Sequence, residues 1–153
     1  MKKLLTLFIF ILAVIAISSQ DSKAQLYEKG KKVADGGLYF PTGATILKAG
    51  LSYGVANNVG AGVEVDYYNS TVGVLGKVNY DFAPALSLGD KVFLYAGGAL
   101  GKYFTQGSNI LVLGQLGGGY MFNDKIGANA EVRFGIVNAS GSAFGLGVVY
   151  KLD

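Results

Sequence analysis

The sequence predicts an all-β fold: an eight-stranded antiparallel up-and-down barrel that spans a membrane, preceded by a cleaved signal peptide. Three observations predict it. Residues 126–136 alternate, with Ile126, Ala128, Ala130, Val132, Phe134 and Ile136 on one parity and Gly127, Asn129, Glu131, Arg133 and Gly135 on the other. A period of two is that of a strand with one apolar and one polar face. The same alternation recurs along the chain behind an export signal. The chain is 51% hydrophobic, yet nothing after residue 24 approaches the roughly eighteen consecutive apolar residues of a membrane helix. An apolar outside around a polar inside inverts a soluble domain and is what a transmembrane barrel requires.

Residues 1–24 read as the signal. Lys2 and Lys3 precede an apolar run from Leu4 to Ile17, broken only by Thr6, and Ser22-Lys23-Ala24 supplies small residues for cleavage before Gln25. Those fourteen residues reach about 21 Å as a helix, short of the roughly 30 Å hydrocarbon core, which argues against a membrane anchor. Cleavage would remove Lys2, Lys3, Lys23 and Asp21, leaving ten basic and nine acidic residues. The apparent basicity thus belongs mostly to the signal and makes no case for nucleic acid binding. Residues 25–153 fit one domain. The absence of cysteine excludes disulfides, thiol chemistry and a lipid-modified amino-terminal cysteine. Glycine is 24 of 153 residues, more than twice the usual share of about 7%, and is a poor helix former.

The strands follow in order. The first is the weakest: Val33-Ala34-Asp35-Gly36-Gly37-Leu38-Tyr39, within 31–40, has an uncertain register. In 45–55, Leu47, Ala49, Leu51, Tyr53 and Val55 oppose Lys48, Gly50, Ser52 and Gly54. In 59–68, Val59, Ala61, Val63, Val65 and Tyr67 oppose Gly60, Gly62, Glu64, Asp66 and Tyr68. In 71–82, Val72, Val74, Gly76, Val78, Tyr80 and Phe82 oppose Thr71, Gly73, Leu75, Lys77, Asn79 and Asp81. In 92–104, Val92, Leu94, Ala96, Gly98, Leu100 and Phe104 oppose Phe93, Tyr95, Gly97, Ala99, Gly101 and Tyr103, with Lys102 breaking the apolar row at the membrane surface, where it can snorkel. In 110–122, Ile110, Val112, Leu116, Tyr120 and Phe122 oppose Leu113, Gln115, Gly117, Gly119 and Met121. After 126–136, the last strand, 143–152, sets Phe144, Leu146, Val148, Tyr150 and Leu152 against Gly145, Gly147, Val149 and Lys151.

The connections use turn chemistry. Asn57-Asn58, Asn123-Asp124 and Asn138-Ala139-Ser140-Gly141 favour tight or left-handed geometry. With both termini toward the periplasm, Tyr53, Tyr80, Phe82, Tyr120, Phe122 and Tyr150 form an aromatic girdle at one membrane interface, and Tyr67, Phe104 and Phe134 one at the other. From Val72 to Phe82 is ten steps; at about 3.3 Å each and a tilt near 40°, that spans roughly 25 Å, the height of the apolar band of such barrels.

The inward parity carries a charge network of Lys48, Lys77, Arg133 and Lys151 with Glu64, Asp66, Asp81 and Glu131. Mutual pairing of four bases and four acids would fill and plug a narrow lumen, since unpaired charge there is costly. The same charges could instead line a constriction in a water path. Inward glycines such as Gly60, Gly117 and Gly145 leave space for water or for long side chains. Glu64 and Asp66 lie two apart on one face, a weak pattern for acid–base or cation chemistry. No histidine is present, so a Ser–His hydrolase site and any histidine metal site are excluded. No metal or other cofactor is expected.

With its signal, Tyr27-Glu28-Lys29-Gly30 before the first strand, Leu51-Ser52-Tyr53-Gly54-Val55, Asn57-Asn58-Val59, Tyr95-Ala96-Gly97 and the closing Leu146-Gly147-Val148-Val149-Tyr150-Lys151, the chain resembles the small bacterial outer-membrane β-barrels of the OmpA/OmpX type, over residues 25–153. The resemblance implies location in the cell outer membrane, with its lipids and the outer-membrane assembly machinery as partners. Members end in an aromatic assembly signal. This chain ends Tyr150-Lys151-Leu152-Asp153, so recognition would rest on Phe144, Leu146, Val148 and Tyr150. The peptidoglycan-binding domain of longer relatives is not expected. The family shares a pattern and no catalytic motif, so a non-enzymatic structural barrel with a polar, side-chain-filled lumen is the leading reading. The alternatives are a narrow channel for water, ions or small solutes, and a secreted soluble β-barrel binding a small apolar ligand. A receptor or adhesin would need longer outer loops than those expected near 40–44, 68–71, 105–109 and 137–142.

Overall fold

The computed structural model describes residues 25–105 and 109–152; the expected signal peptide lies outside them. Eight strands follow one another: β1 (Lys32–Pro41), β2 (Ile46–Ala56), β3 (Val59–Tyr68), β4 (Thr71–Asp81), β5 (Val92–Tyr103), β6 (Leu111–Met121), β7 (Ile126–Val137) and β8 (Ser142–Leu152). Each pairs with its sequence neighbour, and β1 pairs with β8, so the sheet closes and has no free edge.

Closure decides the face of β1. Lys32↔Tyr53 on one side and Lys32↔Leu152 on the other bring Val33, Asp35, Gly37 and Tyr39 inward. Large apolar side chains stand on the outer wall all round, among them Leu51, Val63, Val78, Leu116, Val132 and Val148. Charged side chains Lys48, Glu64, Asp66, Lys77, Asp81, Glu131 and Arg133 are buried inside. This is the arrangement that hydrocarbon outside and paired charge inside would favour.

The turns are local chemistry. Asn69 and Ser70 both have positive φ, 44° and 62°, and join β3 to β4 in two residues, the backbone that matches strand twist. Asn123 caps the β6–β7 connection by accepting the backbone N–H of Lys125 (2.9 Å) and Ile126 (2.8 Å) through its side chain. The longest connection is 82–91, between β4 and β5, at the end that carries the chain termini.

Two apolar clusters occupy the lumen, one toward each mouth. Leu26, Tyr27, Val33, Phe93, Tyr95, Met121 and Val149 fill the terminal mouth. Leu75, Ala99 and Leu111, packed by Tyr103, Leu113 and Ala139, fill the opposite one. The charged side chains lie between them.

Candidate functional site

The lumen network is centred on Arg133, the only arginine in the chain. Its position on β7, across from Gln115 of β6 and Ala143 of β8, points the guanidinium inward. Nε donates to Glu131 Oε1 (3.1 Å), Nη1 to Asp66 Oδ2 (3.2 Å) and Nη2 to Glu64 Oε1. The guanidinium carbon also stands 4.1 Å from the centre of the Tyr39 ring, a cation–π contact strengthened by exclusion of water.

Lys48 sits beside it. Its Nζ donates to the Tyr39 hydroxyl (2.9 Å) and lies 3.4 to 3.5 Å from Glu64, Asp35 and Glu131. Lys77 pairs with Asp35 and lies 3.5 Å from Glu64 Oε2. Tyr39 and Tyr95 donate their hydroxyls to the two oxygens of Glu131. Tyr103 donates to Asp66 Oδ2 at 2.7 Å. Neutral amides extend the network: Asn129 donates to the Tyr95 hydroxyl (3.1 Å), and Gln115 to Asn79 (2.5 Å). Charge-assisted bonds of this kind offset the loss of hydration that burial imposes.

Six of the eight charged positions expected inside are therefore joined in one mesh: Lys48, Glu64, Asp66, Lys77, Glu131 and Arg133. The remaining two stand apart from it. Asp81, at the end of β4, accepts backbone N–H groups from Leu26 (2.8 Å), Ala83 (3.0 Å) and Leu94 (3.3 Å). Lys151 binds Glu28 (3.3 Å) and the Gln25 carbonyl (2.6 Å). Both lie at the terminal mouth, because β4 and β8 end there and the lumen is too long for them to reach Arg133. In their place the mesh takes Asp35, so that among the described residues four carboxylates meet three cations.

The sequence missed Asp35 and Tyr39 for lack of a register on β1. It placed Tyr95 and Tyr103 inward without giving them a role. The inward glycines, expected to leave space for water or for long side chains, were the signal that could have placed these rings. Three large lumenal rings lie over a glycine of the adjacent strand: a Cβ at Gly145 would come within 2.4 Å of Tyr39, one at Gly117 within 2.5 Å of Tyr95, one at Gly73 within 2.7 Å of Tyr103. The space those glycines leave is taken by side chains.

Little volume remains. Two voids of about 10 Å³ each border the mesh, beside Tyr39 and beside Tyr27, each room for about one water. Wider recesses stand at the mouths: 170 Å³ above Tyr39, Tyr103 and Arg133, and 480 Å³ between Asn58 and the 82–91 connection. Among the described residues the centre of the lumen is taken up by charged and aromatic side chains, which is not the deep apolar calyx that a soluble barrel with an apolar ligand would need. No cluster of three or more acidic, histidine or cysteine groups suited to a metal occurs among the described residues.

On the outer wall, Tyr53, Tyr80, Phe82, Phe122 and Tyr150 stand exposed at the terminal end, with Tyr120 half-buried there. Tyr80 and Phe82 meet edge to face at 4.8 Å. Tyr67, Phe104 and Phe134 are exposed at the opposite end. Phe40, whose register was open, joins them opposite Phe144. Lys102 is exposed on the lipid-facing row next to Val74. Phe144, Leu146, Val148 and Tyr150 form the outward row of β8.

Solved structures share this fold. A de novo designed transmembrane β-barrel is 17% identical with a TM-score of 0.63, covering 82% of this chain and 98% of that one. The N-terminal β-barrel domain of Pseudomonas aeruginosa OprF is 16% identical with a TM-score of 0.61, covering 81% and 98%. The Yersinia pestis outer membrane protein Ail is 11% identical with a TM-score of 0.55, covering 81% and 100%. No protein-family model matches the chain, and neither does any curated protein. The fold is that of a transmembrane β-barrel.

Proposed function

We propose that this chain is an integral outer-membrane β-barrel with a structural role, its lumen filled by side chains and closed to solutes. The observation that carries the reading is the mesh around Arg133: three carboxylates on the guanidinium, two lysines beside them, and an apolar cluster toward each mouth. A conducting pore needs a continuous wet path with binding weak enough to release the ion, and here the polar centre is occupied by its own counter-ions. The apolar outer wall and the two aromatic belts support residence in a bilayer, and the likeness to OprF and Ail supports the outer membrane. The partners are then outer-membrane lipids and the assembly machinery, the latter reading the outward row of β8. The chain holds neither histidine nor cysteine, and we read it as non-catalytic.

Single-channel recording in planar bilayers tests the closed lumen. The intact protein is expected to show no stable conductance. A steady opening whose size changes on Arg133→Ala would establish the channel instead. Heat-modifiable migration in detergent gels, with fractionation of cell envelopes, tests the barrel and its location.

A further inference from the structure

The segment 25–31 precedes the first strand, and the ladder between consecutive strands is complete without it. It nevertheless enters the lumen. Leu26 and Tyr27 are 2% and 4% exposed. The Tyr27 ring lies on Gly60, where a Cβ would come within 2.3 Å of it. The backbone of the segment is tied down at Leu26 N–H to Asp81 (2.8 Å), Asn58 N–H to the Tyr27 carbonyl (2.8 Å) and Gly30 N–H to the Gly54 carbonyl (2.9 Å). The Tyr27 hydroxyl accepts from Asn79 (3.1 Å).

We propose that Gln25–Lys31 is a displaceable plug, and that its release opens the terminal half of the lumen to water while the opposite half stays sealed. This rests on the closed-lumen reading above. Three features support it. The seat is polar on one side: Leu26 and Tyr27 would leave Val33, Phe93, Met121 and Val149 uncovered, but Asp81, Asn79, the Asn58 N–H and Lys151 would each meet water once the segment left, so its departure strands no charge in an apolar wall. The Asn58 side-chain oxygen is buried there without a partner. The 480 Å³ recess between Asn58 and the 82–91 connection gives the segment room beside its seat. Beyond the plug, a void of about 10 Å³ touches Tyr27, Lys77, Asn129 and Glu131, so water admitted at this mouth reaches the charged mesh directly. The Leu75, Ala99 and Leu111 cluster on the far side is built from β4, β5 and β6 and makes no use of the segment. The barrel thus has two independent seals with the charges between them.

The chain has no cysteine, so a single introduced thiol reports by itself. Asn129→Cys places it beside the inner void, and Ala99→Cys places it in the far seal. Both are made in the full-length protein in phospholipid vesicles, with and without Leu26→Ser/Tyr27→Ser, and reacted with a water-soluble methanethiosulfonate. The Leu26→Ser/Tyr27→Ser pair is expected to speed labelling of Asn129→Cys by about tenfold or more, because local opening sets access, while Ala99→Cys stays protected in both backgrounds. Asn129→Cys protected in both backgrounds would overturn the plug and leave the closed lumen standing. Rapid labelling of Asn129→Cys with the segment intact would overturn the closed lumen and the plug with it. Parallel exposure of Ala99→Cys would overturn the independence of the two seals, since the substitutions would then be loosening the whole barrel.

Discussion

Arg133→Ala removes the only guanidinium from a site where three carboxylates depend on it. The loss is unequal among them. Glu131 keeps the hydroxyls of Tyr39 and Tyr95 and has Lys48 at 3.5 Å. Glu64 keeps Lys48 at 3.4 Å and Lys77 at 3.5 Å. Asp66 keeps only the Tyr103 hydroxyl at 2.7 Å, and its other oxygen has no hydrogen-bond partner. Four carboxylates are then left with two lysines in a lumen where Glu64 and Asp66 are 0% exposed. Removing one partner of a buried ion pair costs about 3–5 kcal/mol, and the lower part of that range applies because Arg133 borders the 170 Å³ recess at that mouth. The assay is urea unfolding in detergent micelles followed by far-ultraviolet circular dichroism, since the chain has no tryptophan. The midpoint should fall with little change in slope. Adding Asp66→Asn to the Arg133→Ala background should recover about 1–2 kcal/mol, as expected for residues that couple through one network. A loss below about 1 kcal/mol, or no recovery from Asp66→Asn, would refute the claim that these groups are held dry and mutually dependent.

The same unfolding series checks the use of glycine. Gly145→Ala should cost about 1–3 kcal/mol, because its Cβ would come within 2.4 Å of a Tyr39 ring pinned by Glu131. Gly76→Ala faces outward with nothing nearer than 3.9 Å and should stay within about 0.5 kcal/mol. On the outer wall, Val63→Arg at the middle of β3 should destabilise the barrel by about 2–4 kcal/mol in bilayers; unchanged folding into vesicles would argue for a wet exterior. Ser70→Gly should stabilise the β3–β4 turn by a few tenths of a kcal/mol, up to about 1, because Ser70 holds a φ of 62° that glycine adopts freely; a loss in the same assay would contradict the turn reading.

Most of the architecture was legible because alternation is a local property. Residues 71–81 and 126–136 declare both faces with no knowledge of their neighbours, and a one-residue slip would put charge into lipid. β1 was the exception. Gly36 and Gly37 interrupt its pattern, and only pairing on both sides, with β2 and with β8, sets Asp35 and Tyr39 inward. The charged site was legible as a set of residues and not as a set of contacts. Arg133 and Glu64 lie 69 positions apart, and which acid meets which base depends on strand tilt and stagger around the closed sheet. That stagger separates Asp81 and Lys151 from the mesh although they share its parity.

The sequence by itself determined seven of the eight strands with their two faces, the turn residues and the apolar exterior, because each follows from a period of two and from the chemistry of short polar turns; the eighth strand followed from the even strand number of such barrels. Only the tertiary structure decided the pairing inside the lumen, the entry of Leu26 and Tyr27 into its mouth, and the filling of glycine gaps by tyrosine rings. The segment 25–31 has no period to read, and it is buried because Gly54 and Gly60 on two other strands leave it room: a Cβ at Gly54 would come within 1.9 Å of the Glu28 carbonyl oxygen. Such fits depend on atoms brought together by closure, and no window of consecutive residues contains them.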